Sequence, residues 1–262
     1  MKILTYLTDF GTKSSYVAQM KGIALSITDA NIIDISHDVT PHNIREGAFV
    51  LKSSVPYFPV GTIHIGVVDP GVGGKRKGIV VVTNTHVLVG PDNGLLIPCA
   101  EELGEYTVYE IKNPNVMLKN VSNTFHGRDV FTPVAAHILN GIYFEEIGPV
   151  VKDFIKLDFG VPEITEKTVT GKIIYKDGFG NIITNIEFDK IKKSLVYNKK
   201  IMMFIGKKRV QVPFVKTYSE VKAGEMLATI GSNNYLEISM NQGNAFEKLG
   251  IKVDDDIKIL IA

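Results

Sequence analysis

The chain holds a single cysteine, Cys99, among its 262 residues, which excludes an internal disulfide and leaves Cys99 to be read as a small buried apolar residue. Charge of one sign is also missing. The 29 Lys and Arg residues stand against 28 Asp and Glu, and no long basic run occurs, so non-specific binding to nucleic acid has no electrostatic drive. No apolar stretch approaches the ~20 residues needed to span a bilayer. Met1–Leu7 is too short for the apolar part of a signal peptide and runs directly into Thr8-Asp9. These absences give the expectation of a soluble, cytoplasmic protein without nucleic-acid or membrane partners. There is no G-x-G-x-x-G fingerprint, no internal repeat and no low-complexity segment, so a dinucleotide site has little support.

What the chain does have is alternation. Over residues 1–155 strand-like runs (Ile3–Leu7, Ile32–Ile35, Thr62–Val68, Ile79–Val82, His86–Val89, Tyr106–Ile111) interleave with helix-like runs (Ser14–Ile27, Asn43–Val55, Gly94–Leu103, Arg128–Leu139). In the first helical run Val17, Met20, Ile23, Ala24 and Ile27 recur at spacings of three and four, which makes one apolar face. Such a pattern predicts a Rossmann-like α/β domain with a mostly parallel sheet and ligands at the carboxyl ends of its strands. Residues 149–167 lack periodicity and read as a linker. Beyond them, short runs rich in β-branched residues (Thr168–Tyr175, Ile182–Ile186, Lys200–Ile205, Arg209–Pro213, Met226–Ile230, Leu236–Met240, Ile257–Ile261) are punctuated by turn residues. Residues 156–262 are therefore expected to form a small antiparallel β-barrel or sandwich.

Two segments carry the strongest chemical signal. Residues 64–76 run His-Ile-Gly-Val-Val-Asp-Pro-Gly-Val-Gly-Gly-Lys-Arg, a buried strand emptying into a glycine-rich turn that brings a carboxylate, Asp69, and a guanidinium, Arg76, to one rim. Thr124-Phe125-His126-Gly127-Arg128-Asp129 sets an imidazole between a phenylalanine and a glycine. Asp69, Arg76 and His126 are the residue types needed to hold a water and make it a better nucleophile. Asp9, in Thr8-Asp9-Phe10-Gly11 after the first strand, has the acceptors to take both hydroxyls of a vicinal diol; an ordinary helix-entry turn explains it equally well. Asp34, His37, Asp38 and His42 have metal-binding side chains, but capping of a turn accounts for them more simply and no metal is expected. Gly90-Pro91-Asp92-Asn93-Gly94 reads as a turn in which Asp92 or Asn93 caps the next helix. In Gly178-Phe179-Gly180-Asn181, Asn181 matches an adenine edge and Phe179 a base face, while a β-turn with a left-handed asparagine is the plainer reading.

Taken together, Thr8-Asp9-Phe10-Gly11, Tyr57-Phe58-Pro59, Val67-Val68-Asp69-Pro70-Gly71-Val72-Gly73, Gly90-Pro91-Asp92-Asn93-Gly94, Phe125-His126-Gly127-Arg128-Asp129 and Phe179-Gly180-Asn181 resemble the S-adenosyl-L-methionine (SAM) hydroxide adenosyltransferases, relatives of the fluorinases and chlorinases. The resemblance runs through nearly the whole chain. It implies a Rossmann-like first domain, a β-barrel second domain and a homotrimer with sites at subunit interfaces, built from the first domain of one subunit and the second of its neighbour. The implied reaction is attack of water-derived hydroxide on ribose C5′ of SAM, giving adenosine and L-methionine without a cofactor. Asp69, Arg76 and His126 would hold and polarise the water. Asp9 would bind the ribose diol, with Ser14, Ser15 and Tyr16 as further ribose and methionine contacts and Phe58 packed near the sugar. Thr124, Phe125 and Gly127 flank the histidine as substrate-binding residues. Asp177 would meet the methionine ammonium, Phe179 and Asn181 the adenine, Ser232 and Asn233 the methionine carboxylate, and Asn244 and Ala245 the adenine through their backbone.

Two positions depart from the pattern. The family usually has Asp where this chain has Ser14, and the halogenases have an arginine where it has Asn233. Neither departure touches Asp69, Arg76 or His126. A halogenase, which would use a tyrosine where this chain has His126, is the nearest alternative. A nucleoside-binding module without turnover and a metal-dependent hydrolase resting on Asp34, His37 and Asp38 are the others.

Overall fold

The computed structural model describes residues 1–261 as two compact units, Met1–Asp158 and the segment from Phe159 onward. In the first unit the elements run β1 (Ile3–Thr8), α1 (Tyr16–Ile27), β2 (Asn31–Ser36), α2 (Ile44–Ser54), β3 (Ile63–Val67), β4 (Gly78–Thr83), β5 (Val87–Pro91), α3 (Ile97–Leu103), β6 (Tyr106–Glu110) and α4 (Thr132–Leu139). The sheet order is β2-β1-β3-β5-β4-β6. The β1–β2, β1–β3 and β3–β5 pairs are parallel, whereas β4 runs antiparallel to both β5 and β6. The sheet is thus mixed. The reason lies in the short turn from Thr83 to Val87, where Thr83 Oγ1 accepts the His86 N–H at 2.9 Å; a turn that short makes a hairpin and leaves no room for a crossover helix.

Strands β1 and β3 are buried along their whole length, as a central parallel strand covered on both faces must be. Met20 and Ala24 of α1 pack on Leu4, Tyr6, Ile65, Val67 and Phe131 in one apolar core. Helix α2 is capped by Asn43, whose Oδ1 accepts the Glu46 N–H at 3.1 Å. Helix α3 starts later than the sequence suggests. Asn93 caps nothing there: its Oδ1 takes the Leu95 N–H and its Nδ2 donates to the Val68 carbonyl at 2.8 Å, while Asp92 Oδ1 accepts the Ile155 N–H. These side chains are spent on tertiary ties, so the helix begins at Ile97 with no side-chain cap.

In the second unit β7 (Glu163–Ile164), β8 (Thr168–Lys176), β9 (Ile182–Glu187), β10 (Lys200–Ile205), β11 (Lys208–Pro213), β12 (Met226–Ile230), β13 (Tyr235–Met240) and β14 (Asp256–Leu260) form an antiparallel sheet of order β11-β10-β14-β8-β9-β13-β12, with β7 added on β8. A bridge between Phe214 and Ala228 brings the two ends together, so the sheet is a nearly closed barrel around Ile173, Met203, Phe214, Leu236 and Ile257. The expected linker is not free chain: Lys77 Nζ donates to the Asp153 carbonyl, and Glu163–Ile164 pairs as β7.

Among the described residues no helix is long and apolar enough to cross a membrane. His64 on β3 is fully buried, with Nδ1 2.7 Å from Thr5 Oγ1 and Nε2 without a partner among the described residues. Burial, and after it the neighbouring His86, pushes its pKa from 6.5 down to about 3. Because the folded-state pKa lies below the unfolded one, the unfolded chain binds the extra proton between those values. Stability is therefore complete above pH 6.5 and falls as the pH drops toward 3. At pH 5 the loss is expected to be about 2 kcal/mol relative to pH 7. Denaturant melts of wild type and His64→Gln at both pH values test this; equal acid sensitivity in the two proteins would contradict it.

Candidate active site

The end of β3 is where the chemistry gathers. Val68 is buried and its carbonyl is tied to Asn93, which fixes the backbone immediately before Asp69. The following loop turns twice, with the Val72 N–H donating to the Asp69 carbonyl and the Gly74 N–H to the Gly71 carbonyl. That fold returns Arg76 onto Asp69. Arg76 Nε donates to both carboxylate oxygens at 3.0 Å, and Nη2 donates to Oδ2 at 2.5 Å. Both side chains are withdrawn from solvent, 11% and 5% exposed, and the guanidinium lies 5.3 Å from the Phe131 ring centre.

His126 reaches the pair from a separate segment. Phe125 is buried, and its N–H donates to Ser122 Oγ. The buried Asp129 accepts the Ser122 N–H at 2.8 Å and is held by Arg128, so Asp129 closes the loop that presents the histidine. Residues Gly127–Phe131 form a π-helical turn ahead of α4, in which the Thr132 N–H donates to the Gly127 carbonyl. The two segments touch at Gly73, whose φ is +74°; a Cβ there would lie 2.1 Å from the Asn123 carbonyl oxygen. That close approach sets Arg76 Nη2 2.9 Å from His126 Nδ1.

A guanidinium only donates. His126 Nδ1 is therefore the acceptor, and the ring is neutral with its proton on Nε2. Burial, followed by the Arg76 charge, pushes the His126 imidazole below its ordinary pKa, in keeping with that neutral state. Asp69, Arg76 and His126 make one hydrogen-bonded line of carboxylate, guanidinium and imidazole.

Asp9, at the carboxyl end of β1, has Oδ2 accepting the His42 N–H at 2.8 Å, and His42 adopts a left-handed φ of +68° to make that bond. Its neighbour Phe10 packs edge-on against Phe125 at 5.7 Å and Tyr16 at 5.8 Å, and Tyr16 lies 5.1 Å from Phe125. This aromatic trio clamps the Asp9 loop to the His126 loop. Ser15 Oγ accepts from Gln19, which in turn accepts from Arg128, while Ser14 is exposed and leans on the Phe10 carbonyl. Asp34 pairs with Lys21 and lies 3.0 Å from His37 Nε2, and His37 Nδ1 meets Thr8 Oγ1 at 2.8 Å. These residues brace the end of β1. Among the described residues no three His, Cys, Asp or Glu side chains converge on a metal-sized point.

Phe58 is not brought to this cluster within its unit. Its ring rests 5.4 Å from His64 near the start of β3, roughly 15 Å along the chain from Asp69 at strand rise. Thr124 is exposed and Gly127 buried, on either side of the Phe125-His126 pair.

The remaining candidates lie in the second unit. Asp177, Phe179, Asn181 and Ser232 line one cavity of ≈ 510 Å³, together with Tyr218 and Glu237. Phe179 is 80% exposed, a ring face open to a partner. Asn233 follows Ser232 on the β12–β13 turn. Asn244 and Ala245 begin a short helix whose Phe246 N–H donates to the Gly180 carbonyl at 3.0 Å. Asp129, Phe10 and Glu237 were not singled out from the sequence, and Asn93 was read only as a helix cap. For Asp129 and Asn93 the signal was present as polar residues inside motifs already noted; Glu237 sits in an alternating strand and gave none.

Residues 4–148 match the family model described as SAM hydroxide adenosyltransferase N-terminal domain, and residues 171–258 match the C-terminal domain of the same family. A protein of Methanocaldococcus jannaschii named (R)-S-adenosyl-L-methionine hydrolase is 41% identical, over 99% of this chain and 96% of its own. A fluorinase of an Actinoplanes species is 26% identical over 91% of each chain. An uncharacterized conserved protein from Thermotoga maritima, known as a crystal structure, superposes with a TM-score of 0.92 at 39% identity, covering 98% of this chain and 99% of that one.

Proposed function

This chain belongs to the SAM hydroxide adenosyltransferase family and hydrolyses S-adenosyl-L-methionine, and we propose that Asp69, Arg76 and His126 drive water onto C5′ of the ribose. The oxygen–C5′ bond forms as the C5′–sulfur bond breaks with its electron pair going to sulfur. Adenosine and L-methionine leave. Methionine departs as a neutral thioether, so no acid is needed on that side and no cofactor enters. The difficulty is the nucleophile, because neutral water is poor and hydroxide scarce near neutrality. Arg76 supplies positive potential beside the oxygen as it gains charge. The Nδ1 lone pair of His126 is engaged by Arg76, so Asp69 takes the proton and the His126 Nε2–H holds the water. In-line placement opposite sulfur provides the rest through proximity.

The observation carrying this reading is the direct contact of the three side chains from segments some fifty residues apart, with |i−j| of 7 and 50 for its two links. Asp9 holds the ribose diol, Tyr16 and Phe125 shape the sugar end, and Asn181, Phe179, Ser232 and Asn233 receive adenine and the amino-acid tail. The sulfonium sulfur is a stereocentre, and the M. jannaschii relative's name specifies its R form; the R epimer is taken as the preferred substrate. Self-association as a homotrimer, with each substrate held between two subunits, and a cytoplasmic place of work complete the proposal.

Incubation with each SAM epimer in ¹⁸O-water, with and without chloride, tests it. The expected product is adenosine labelled at the 5′ oxygen, independent of chloride, with kcat/KM at least about tenfold higher for the R epimer. Formation of 5′-chloro-5′-deoxyadenosine, or unlabelled adenosine, would overturn the reading.

A further inference from the structure

If the substrate is SAM, as proposed above, two positive charges enter the protein: the sulfonium and the α-ammonium of the methionine tail. The cavity of the second unit is lined by two carboxylates, Asp177 and Glu237, and none of its lining residues is Lys or Arg. Asp177 is largely committed to its own turn. Its Oδ1 accepts the N–H groups of Phe179 at 2.9 Å and Asn181 at 2.8 Å, and its Oδ2 accepts Asn181 Nδ2 at 2.9 Å.

Glu237 is placed differently. It is only 6% exposed. Its Oε1 accepts both the Tyr218 hydroxyl at 2.7 Å and Ser239 Oγ at 2.6 Å, while Oε2 receives no hydrogen bond among the described residues. Burial, and then Glu237 itself, pushes the Tyr218 phenol up, so Tyr218 stays a donor and pins one oxygen of a carboxylate. With one oxygen pinned by two hydroxyl donors and the residue lining the cavity, the second oxygen is left to meet a cationic group that enters there. Space is kept for that oxygen: a Cβ on Gly231 would lie 2.7 Å from Oε2, and Gly231 adjoins Ser232, the residue expected to face the substrate carboxylate.

We propose that Glu237 receives the substrate's α-ammonium through Oε2, with Asp177 Oδ2 as a second acceptor, so that the methionine tail is recognised at both ends along the β12–β13 turn. Tyr218 and Ser239 act through Glu237 as positioning residues, holding the carboxylate with its free oxygen toward the cavity.

The test pairs two variants with two ligands. Glu237→Gln keeps an acceptor for Tyr218 and Ser239 but replaces Oε2 by a donor. Gly231→Ala leaves Glu237 in place chemically and pushes its carboxylate aside. Equilibrium binding of SAM and of its analogue lacking the α-amino group is measured by calorimetry, each variant combined with Asp69→Asn to prevent turnover. The Asp69→Asn protein with Glu237 intact is expected to bind the deamino analogue about 10- to 100-fold more weakly than SAM. Each cavity variant should weaken SAM by a similar factor and the analogue by less than about twofold, since the two changes remove the same interaction. Equal losses for both ligands would mean a structural or adenine-side role, and unchanged SAM affinity would mean no role; either overturns the assignment. The separate question of turnover is kept apart: wild-type protein that binds SAM with this dependence yet forms no adenosine would sink the hydrolysis mechanism and leave the Glu237 assignment standing.

Discussion

Asp69→Asn is expected to lower kcat by about 10³- to 10⁴-fold while leaving the dissociation constant for SAM within about threefold. The substitution is nearly isosteric and keeps one acceptor oxygen for Arg76, so the loop keeps its shape. What disappears is the charge. Arg76 then has no anion to hold it in the fork, and the water has no group to take its proton, since the His126 Nδ1 lone pair remains engaged by Nη2. Single-turnover rates and equilibrium binding on the same preparation separate the two effects. A variant that retained a tenth of wild-type kcat would remove Asp69 from the proton path. Arg76→Lys should fall in the same direction, because an ammonium cannot donate to both carboxylate oxygens and the imidazole from one planar fork.

The second large effect falls on a residue that touches no substrate. Gly73→Ala is expected to reduce kcat by about 100-fold or more, because a misplacement of ~1 Å at the reacting groups is enough for such a loss. The position combines a φ of +74° with a Cβ that would sit 2.1 Å from the Asn123 carbonyl oxygen, and that neighbour is backbone and cannot swing aside. Relief must come from separating the Asp69–Arg76 loop from the segment that carries His126. The left-handed conformation alone costs an L-residue about 1–2 kcal/mol, so the melting temperature should drop by a few degrees with the protein still folded. Activity within threefold of wild type would show that the two loops do not depend on this contact.

Much of this arrangement was legible in the residues themselves. The alternation of apolar strands and amphipathic helices gave the layered first unit, and the β-rich runs gave the barrel. The two reactive segments stood out because a buried strand that ends in Asp69-Pro70-Gly71 has few structural reasons to carry a carboxylate there. Other parts were hidden for identifiable reasons. The antiparallel turn of β4 and β5 was readable from the brevity of the segment between Thr83 and Val87, but the helix-strand rhythm around it suggests parallel order. Asn93 looked like a helix cap because capping and long-range ties use the same side-chain groups; only the fold reveals that its amide reaches the Val68 carbonyl. Glu237 was invisible for a different reason. Alternating Leu236-Glu237-Ile238-Ser239 normally puts its polar residues in water, yet Glu237 is 6% exposed and Ser239 fully buried, with Glu237 taken up by the Tyr218 and Ser239 hydroxyls.

The π-helical turn at Gly127–Phe131 carries a consequence for how this chemistry can be gained or lost. A π turn is an α-helix with one residue too many. Deleting a single position there would let α4 run on as ordinary helix and swing everything ahead of it by about 100° around the helix axis. His126 immediately precedes that turn, so the swing would carry the imidazole off Arg76 without altering any catalytic side chain. The length of this one turn, as much as the identity of the three side chains, therefore sets whether the scaffold can activate water.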